Sequence, residues 1–455
     1  MTRFTRLFLV AVSVCLAGAV LSAARPRYGG TLKLETTDAG AMRRVNTLAY
    51  ERLITIDGSG VLRPALATTW NADTGGRRWT ITLRHGVKLH DGSTLQPPQI
   101  AAILRDLHND WQIGTEGDAL VIDPARNMSD LPWQLADSSN AIAVRQGTGT
   151  AVGSGPFGIE RVAAGVIALR ANEEYWDGRP FLDAVEIRTG RSSSEQLSDV
   201  ETGRADMVSI QPTDVRRSEQ RQLRIESSEP LELIALTFEL PLATSADEAI
   251  RRTFAAAIDR TAIARVVLQG RAEPASAMLP QWLSGYAPFV FDRAAAPLSR
   301  TAVVALPADR RTFALRVTPS DAVAQAVAQR IAVNARDAGF TLTVQAPAGL
   351  GPRFDVRLVR LSFRAAAPPE ALSDLMAGLG PRILTLLGRI TRPDPGASLD
   401  DVLSAERAML ATDIIVPVVH VPELYAVAPR VQSWNGPAVL SSGAWNLANV
   451  WLNAP

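Results

Sequence analysis

Three side chains within one short segment, His85, His90 and Asp91, have the chemistry of a partial metal site. A structural site normally takes four ligands at about 2 Å, and the remaining histidines, His108 and His420, are remote in sequence. The segment WTITLRHGVKLHDG at 79–92 instead reads as a strand alternating Trp79, Ile81 and Leu83 that runs into a glycine-punctuated turn, where a histidine meets a local hydrogen-bond need. Ser154 in VGSGPFG suggests a nucleophile elbow, but Val152 stands where the first glycine of G-x-S-x-G is required. Pro156 would remove a ladder hydrogen bond from a strand, so a crossover turn between domains fits better. Asp400 and Asp401 are adjacent and would project about 100° apart on a helix, which prevents them converging as a hydrolase pair and suits the first turn of a helix. No catalytic residue, metal or cofactor is therefore expected, and the chain is not read as an enzyme.

Two further groups could meet a ligand. Arg353, Arg357, Arg360 and Arg364 border a strand over 355–361. Strand geometry forbids Arg357 and Arg360 from facing the same side without a bulge, so most of the series suits a solvated edge, although a guanidinium here would match a carboxylate or phosphate. Among nine tryptophans, Trp133, Trp282 and Trp445 are candidates to face a cleft.

The elements that would carry these groups alternate strand and helix. Strands are predicted at 31–35, 166–170, 184–188, 231–238, 313–317, 340–344 and 355–361, with helical spacing over 45–53. A capping box of Ser245 and Glu248 opens one helix, Ser320 is the expected cap of a second ending near Gly339, and Ser398 opens a third. Such alternation predicts open sheets covered by helices. AAAPPE at 365–370 and RPDPGAS at 392–398 read as loops or hinge-side connections.

Composition narrows the class. Residues 1–24 resemble a cleaved secretory leader, with Arg3 and Arg6 before an apolar run from Leu7 to Leu21 and small residues ahead of Arg25. That run would span about 22 Å as a helix, short of the roughly 30 Å hydrocarbon core. The one cysteine, Cys15, lies inside it, so the mature chain carries no disulfide and a lipid anchor is not expected. A net charge of +1, from 47 basic and 46 acidic residues, lacks the basic excess that nucleic-acid binding requires. A chain of 455 residues is too long for one core and suits two or three domains.

The order of motifs resembles the family 5 extracellular solute-binding proteins, which serve oligopeptide, dipeptide and nickel ABC importers. The shared elements are Gly29, Gly30, Thr31 and Leu32; Tyr50, Glu51 and Leu53; Pro64, Leu66, Ala67 and Trp70; and Leu83, Arg84, Gly86, Val87, His90, Asp91 and Gly92. They continue with Gly153, Gly155 and Pro156; Asn172, Tyr175 and Trp176; Gly203 and Asp206; Arg251 and Ala257 to Arg260; and Pro417, Val431, Trp434 and Trp451. Two departures stand out. The acidic residue with which peptide-binding relatives meet an α-amino group is missing after Phe354 and Asp355, and the region before GSGPF is compact.

The resemblance implies a type II periplasmic-binding-protein fold, α/β, with two lobes joined by two crossing strands and a small inserted subdomain. The expected division is a signal peptide at 1–24, lobe 1 from 25–65, 155–230 and 427–455, an accessory subdomain at 66–154, and lobe 2 at 231–426. It implies capture of a peptide-like or other small solute in the periplasm by a monomer, and delivery to an ABC permease and ATPase complex. Ligand contacts are expected at Glu35, Thr36, Gln211, Arg360 and Ser362, where cleft loops should fall. The alternatives are a sensor or chaperone partner without a transporter, and a secreted hydrolase. Peptides, opines, sugars and nickel chelates stay open as ligand classes.

Overall fold

The computed structural model of the chain describes residues 25–37, 41–57, 61–128, 130–145, 151–239, 245–286, 297–345, 355–362, 367–388, 390, 392–394, 397–434 and 445–453. The leader at 1–24, the Ser245 side chain and residues Arg353, Phe354 and Arg364 lie outside the described set.

One mixed sheet runs through most of the molecule. Its strands follow the order Thr341–Gln345, Thr312–Arg316, Val356–Ser362, Arg224–Phe238, Ile415–Val427, Met207–Ile210, Thr31–Thr36, Ala184–Thr189, Val166–Ala171 and Phe157–Ala163, with Glu273–Pro274 added beside Ile415–Val427. The strands read from alternation are all present, within one or two residues except for the start of the strand expected at 231. Most of them bury apolar side chains, as in Leu32 and Leu34 of the first strand and Val185 and Ile187 of its parallel neighbour.

The two central strands are unusually long. Arg224–Phe238 and Ile415–Val427 pair antiparallel, with residues 224–227 opposite 424–427 and residues 232–237 opposite 415–421. The register slips between Ser227 and Pro230 and again between Pro230 and Glu232. Pro230 has no N–H to give to a ladder, so a bulge forms there and the strand pair bends. These are two strands crossing between two halves of the sheet, as the fold class requires. The sequence reading began the first of them only at 231; its start lies at Arg224 because the bulge breaks the alternation.

The strands of both halves end toward that bend. Thr31–Thr36 runs parallel to Met207–Ile210, and Ile210 lies opposite Leu424, so both strands finish beside the bulged segment. From the other half, Val356–Ser362 runs antiparallel to the crossing strand, and Ser362 lies opposite Glu232.

A separate four-stranded sheet in the order Ala67–Ala72, Trp79–Leu83, Ala119–Pro124 and Trp111–Glu116 is backed by helix Pro97–Leu107. Trp79, Ile81 and Leu83 fill its core. Two boundaries differ from expectation. The first helix is Ala41–Ala49, which leaves Leu53 outside it. Helix Ala322–Asp337 is capped by Asp321 and not Ser320, because the Asp321 carboxylate accepts the Ala324 N–H at 2.9 Å. Ser398 caps Leu399–Ala411 as expected, in a capping box with Asp401.

Candidate functional site

The candidate ligand contacts occupy strand ends around the bend. Glu35 is 1% exposed, and neither carboxylate oxygen has a hydrogen-bond partner. Arg188 Nη1 stands 3.6 Å away and Arg191 Nε 3.9 Å away. Asp199, close by, takes the better bonds, from Arg191 Nη2 at 2.6 Å and Arg204 Nε at 2.7 Å. Burial first, and the negative Asp199 second, hold the Glu35 carboxyl above the ordinary carboxylate range. Burial would raise Asp199 as well, but the guanidinium groups of Arg204 and Arg191 outweigh it and bring its pKa down. Thr36 is buried, and Gln211 is partly buried at a short turn where its N–H donates to Asp214.

Arg360 is clamped in the other half. Its Nε and Nη2 donate to the two oxygens of Glu232 at 2.7 and 2.5 Å, and Nη1 donates to Asp321 at 3.0 Å. Burial alone would lower its pKa, but Glu232 and then Asp321 outweigh this and hold it above the ordinary guanidinium value. Its charge is already matched twice over, so it does not stand ready for a carboxylate or phosphate. Arg357 and Ser362 are exposed on the same strand. Sequence reasoning missed Glu232 and Asp321, which meet Arg360 only through sheet pairing and helix packing.

The tryptophans divide differently from expectation. Trp445 is fully buried and donates to the Tyr425 hydroxyl at 2.8 Å, so it belongs to the core rather than to an open cleft. Trp282 is partly buried and donates to Pro230 O, at the bulge itself, at 2.9 Å. Trp133 packs against the small-sheet core.

The residues that resembled chemistry serve as joints. His90 Nε2 meets Gly155 O at 3.0 Å, and the Gly153 N–H points at Nδ1 at 3.4 Å, so this histidine ties the HDG turn to GSGPF. The Ser154 hydroxyl donates to Glu51 at 2.8 Å. Tyr175 and Trp176 donate to the same carboxylate at 3.1 and 2.9 Å. Glu51 therefore ties its own motif to two distant ones, and burial pushes its pKa up to about 7 despite these donors. Arg84 stacks 3.8 Å from the Trp176 ring. Among the described residues, no group of three His, Cys, Asp or Glu side chains is placed to hold a metal ion.

Residues 122–375 match the model of the bacterial extracellular solute-binding proteins, family 5, middle region. The chain belongs to this family. It is 23% identical over 296 residues to the oligopeptide-binding protein AppA of Bacillus subtilis (strain 168), covering 56% of this chain and 54% of AppA. Protein XP55 of Streptomyces lividans is 24% identical over 459 residues, covering 89% of this chain and 84% of XP55. By sequence, the chain thus spans about half the length of AppA. The structure of AppA in complex with a nonapeptide superposes with a TM-score of 0.70 at 16% identity, covering 94% of this chain and 100% of that one. CtaP of Listeria monocytogenes gives 0.76 at 15% identity over 94% and 100%. These similarities establish the family 5 fold.

Proposed function

We propose that this family 5 chain captures a peptide-like or other small solute outside the cytoplasmic membrane and delivers it, unchanged, to an ABC permease and its ATPase. The observation that carries the reading is the pair of crossing strands bent at Pro230, with strand ends from both halves directed at the bend. Ligands of open α/β sheets bind outside the carboxyl ends of strands, and a solute touching both halves favours their closure. The two halves would act as lobes divided near residues 230 and 426, with the separate sheet as an accessory subdomain.

Glu35, Thr36, Gln211 and Ser362 are proposed contacts through backbone or side chain, and Arg360 through the acid-lined edge it forms with Glu232 and Asp321. AppA is described as an oligopeptide-binding protein, which supports testing peptides first. A leader cleaved near Ala24, periplasmic release and a monomeric receptor belong to the same proposal.

The experiment is a thermal-shift screen of the protein from Arg25 onward against di- to pentapeptides, oligosaccharides, opines and nickel chelates. A ligand at one hundred times its dissociation constant should stabilise the fold by about 2.7 kcal/mol. A selective shift with the ligand recovered intact supports capture. Chemical turnover of the hit, or no shift across the panel in well-folded protein, refutes it.

A further inference from the structure

A cavity of about 340 Å³ lies between helix Ala41–Ala49 and residues 138–145 with Ala151. Arg43, Asn46 and Tyr50 are spaced three and four apart, so they share one face of the helix and its exit, and all three line the cavity. Arg52, Ser138 and Arg145 close the opposite side. No carboxylate lines it among the described residues. A second cavity of similar volume, sharing Tyr50 and Arg52, has Glu51, Asp57 and Asp177 in its wall.

The three guanidinium groups are held differently. Arg52 is partly buried and gives Nη1 to Ala136 O at 2.8 Å, with Glu51 and Asp137 offsetting part of its charge. Asp137 is occupied by the Ser139 N–H and hydroxyl at 2.8 and 2.7 Å. Arg43 and Arg145 are exposed and make no ion pair among the described residues. Arg145 is near enough to Tyr50 to counter part of the rise that burial imposes on the phenol. The backbone beside Arg145 is fixed by paired Val144 and Val152 bonds of 2.9 Å.

The helix that walls the cavity also meets the second crossing strand. Arg44, the next residue after Arg43, reaches the other way to Glu423 on strand Ile415–Val427. Cations gathered around a cavity whose described lining holds no carboxylate repel one another, and a planar guanidinium fork matches a carboxylate or phosphate in two bonds. Arg360, the cation that the sequence pattern offered for this task, is already neutralised by Glu232 and Asp321.

We infer that the Arg43, Arg52 and Arg145 cavity is an anion-binding subsite that receives a carboxylate or phosphate group of the captured solute. This rests on the solute-capture reading.

The test is calorimetric titration at constant ionic strength, with trialanine, trialanine amide, succinate and inorganic phosphate as probes. Wild-type protein should bind succinate and phosphate, and should prefer trialanine to its amide by at least about tenfold. The Arg43→Gln/Arg145→Gln variant should lose anion binding at least about tenfold and lose the preference for the free acid. Both positions are exposed, so the fold should hold; a circular dichroism melt checks this. The Arg43→Lys/Arg145→Lys variant keeps the charge without the fork and should bind with intermediate strength. Silence of wild type toward both small anions overturns the subsite, as does equal anion binding by the glutamine variant. Tight binding of the amide together with silence toward anions sinks the subsite while sparing solute capture. Phosphate binding with neither peptide bound overturns assignment to a solute group and leaves free phosphate as the ligand.

Discussion

Arg44 and Glu423 lock together by two parallel bonds of 2.6 and 2.5 Å, with Arg44 also donating to the Tyr425 hydroxyl at 3.1 Å. The contact fixes helix Ala41–Ala49 to the second crossing strand beside the bend. Both side chains are less than one-third exposed. Glu423→Gln removes one bonded charge and leaves the guanidinium half-paired, so denaturant unfolding should show a loss of about 1–2 kcal/mol. An unchanged midpoint would mean that the pair adds nothing beyond its solvated parts.

Glu406 couples stability to pH. It is fully buried on helix Leu399–Ala411, accepts the Met278 and Leu279 N–H groups, and has one oxygen without a partner. Burial raises its pKa from 4.5 to about 7, so the folded state holds a proton that the unfolded state releases. Its contribution is full below about pH 4.5 and is lost as pH rises toward 7. Glu406→Gln can still accept both N–H groups while removing the charge. The variant should match wild type at pH 4 and gain up to about 3 kcal/mol at pH 8. A difference that does not change with pH would refute the coupling.

His420 works in the opposite sense. Buried and bonded to Met278 O at 3.0 Å, it has its pKa pushed down to about 4, chiefly by burial. Its contribution is present above about pH 6.5 and lost as pH falls toward 4. His420→Gln should flatten the acid limb of the stability profile, and an unchanged limb would count against this role.

Gly155 has neighbours that allow no side chain. A Cβ there would come within 2.2 Å of Leu48 O and 2.8 Å of Ala49 C. Both are backbone atoms of the first helix, which cannot swing aside as a side chain would. Gly155→Ala should cost about 2–4 kcal/mol, read as a lower melting temperature. Wild-type stability would show that the helix can shift there.

The Gln269 side chain bridges the two sides of the bend, accepting from Arg216 N–H at 2.9 Å and donating to Thr213 O at 2.7 Å. Its φ of +53° is a conformation an L-residue adopts at a cost, and Arg271 adds a contact to Glu219 at 2.9 Å. Gln269→Ala should favour an open arrangement and enlarge the radius of gyration in small-angle scattering. The same radius for both proteins would show that this bridge does not hold the halves together.

Much of the fold was legible because alternation survives wherever one strand face is buried, as at Val185 and Ile187. Pro230 hid the continuity of the first crossing strand, since a bulge destroys the period that reveals a strand. Asp321 displaced Ser320 because neighbouring polar residues compete for one cap and backbone angle decides between them. The strand-end contacts were placed from motif order alone. The partners of Arg360 and the cavity shared by Arg43 and Arg145 could not be read, because residues 39 to 128 positions apart come together only through packing.

The central strand pair also dictates how the molecule must be assembled. Arg224–Phe238 finds its antiparallel partner only at 415–427, nearly two hundred residues later, while Thr31–Thr36 waits between strands beginning at 184 and 207. The middle of the sheet closes late, and its contacts carry a large loop-closure entropy. A chain truncated before 415 would hold its first crossing strand with an open edge, exposed to pairing with another molecule. Slow closure of this kind leaves the middle of the sheet open until the last of the chain has been made.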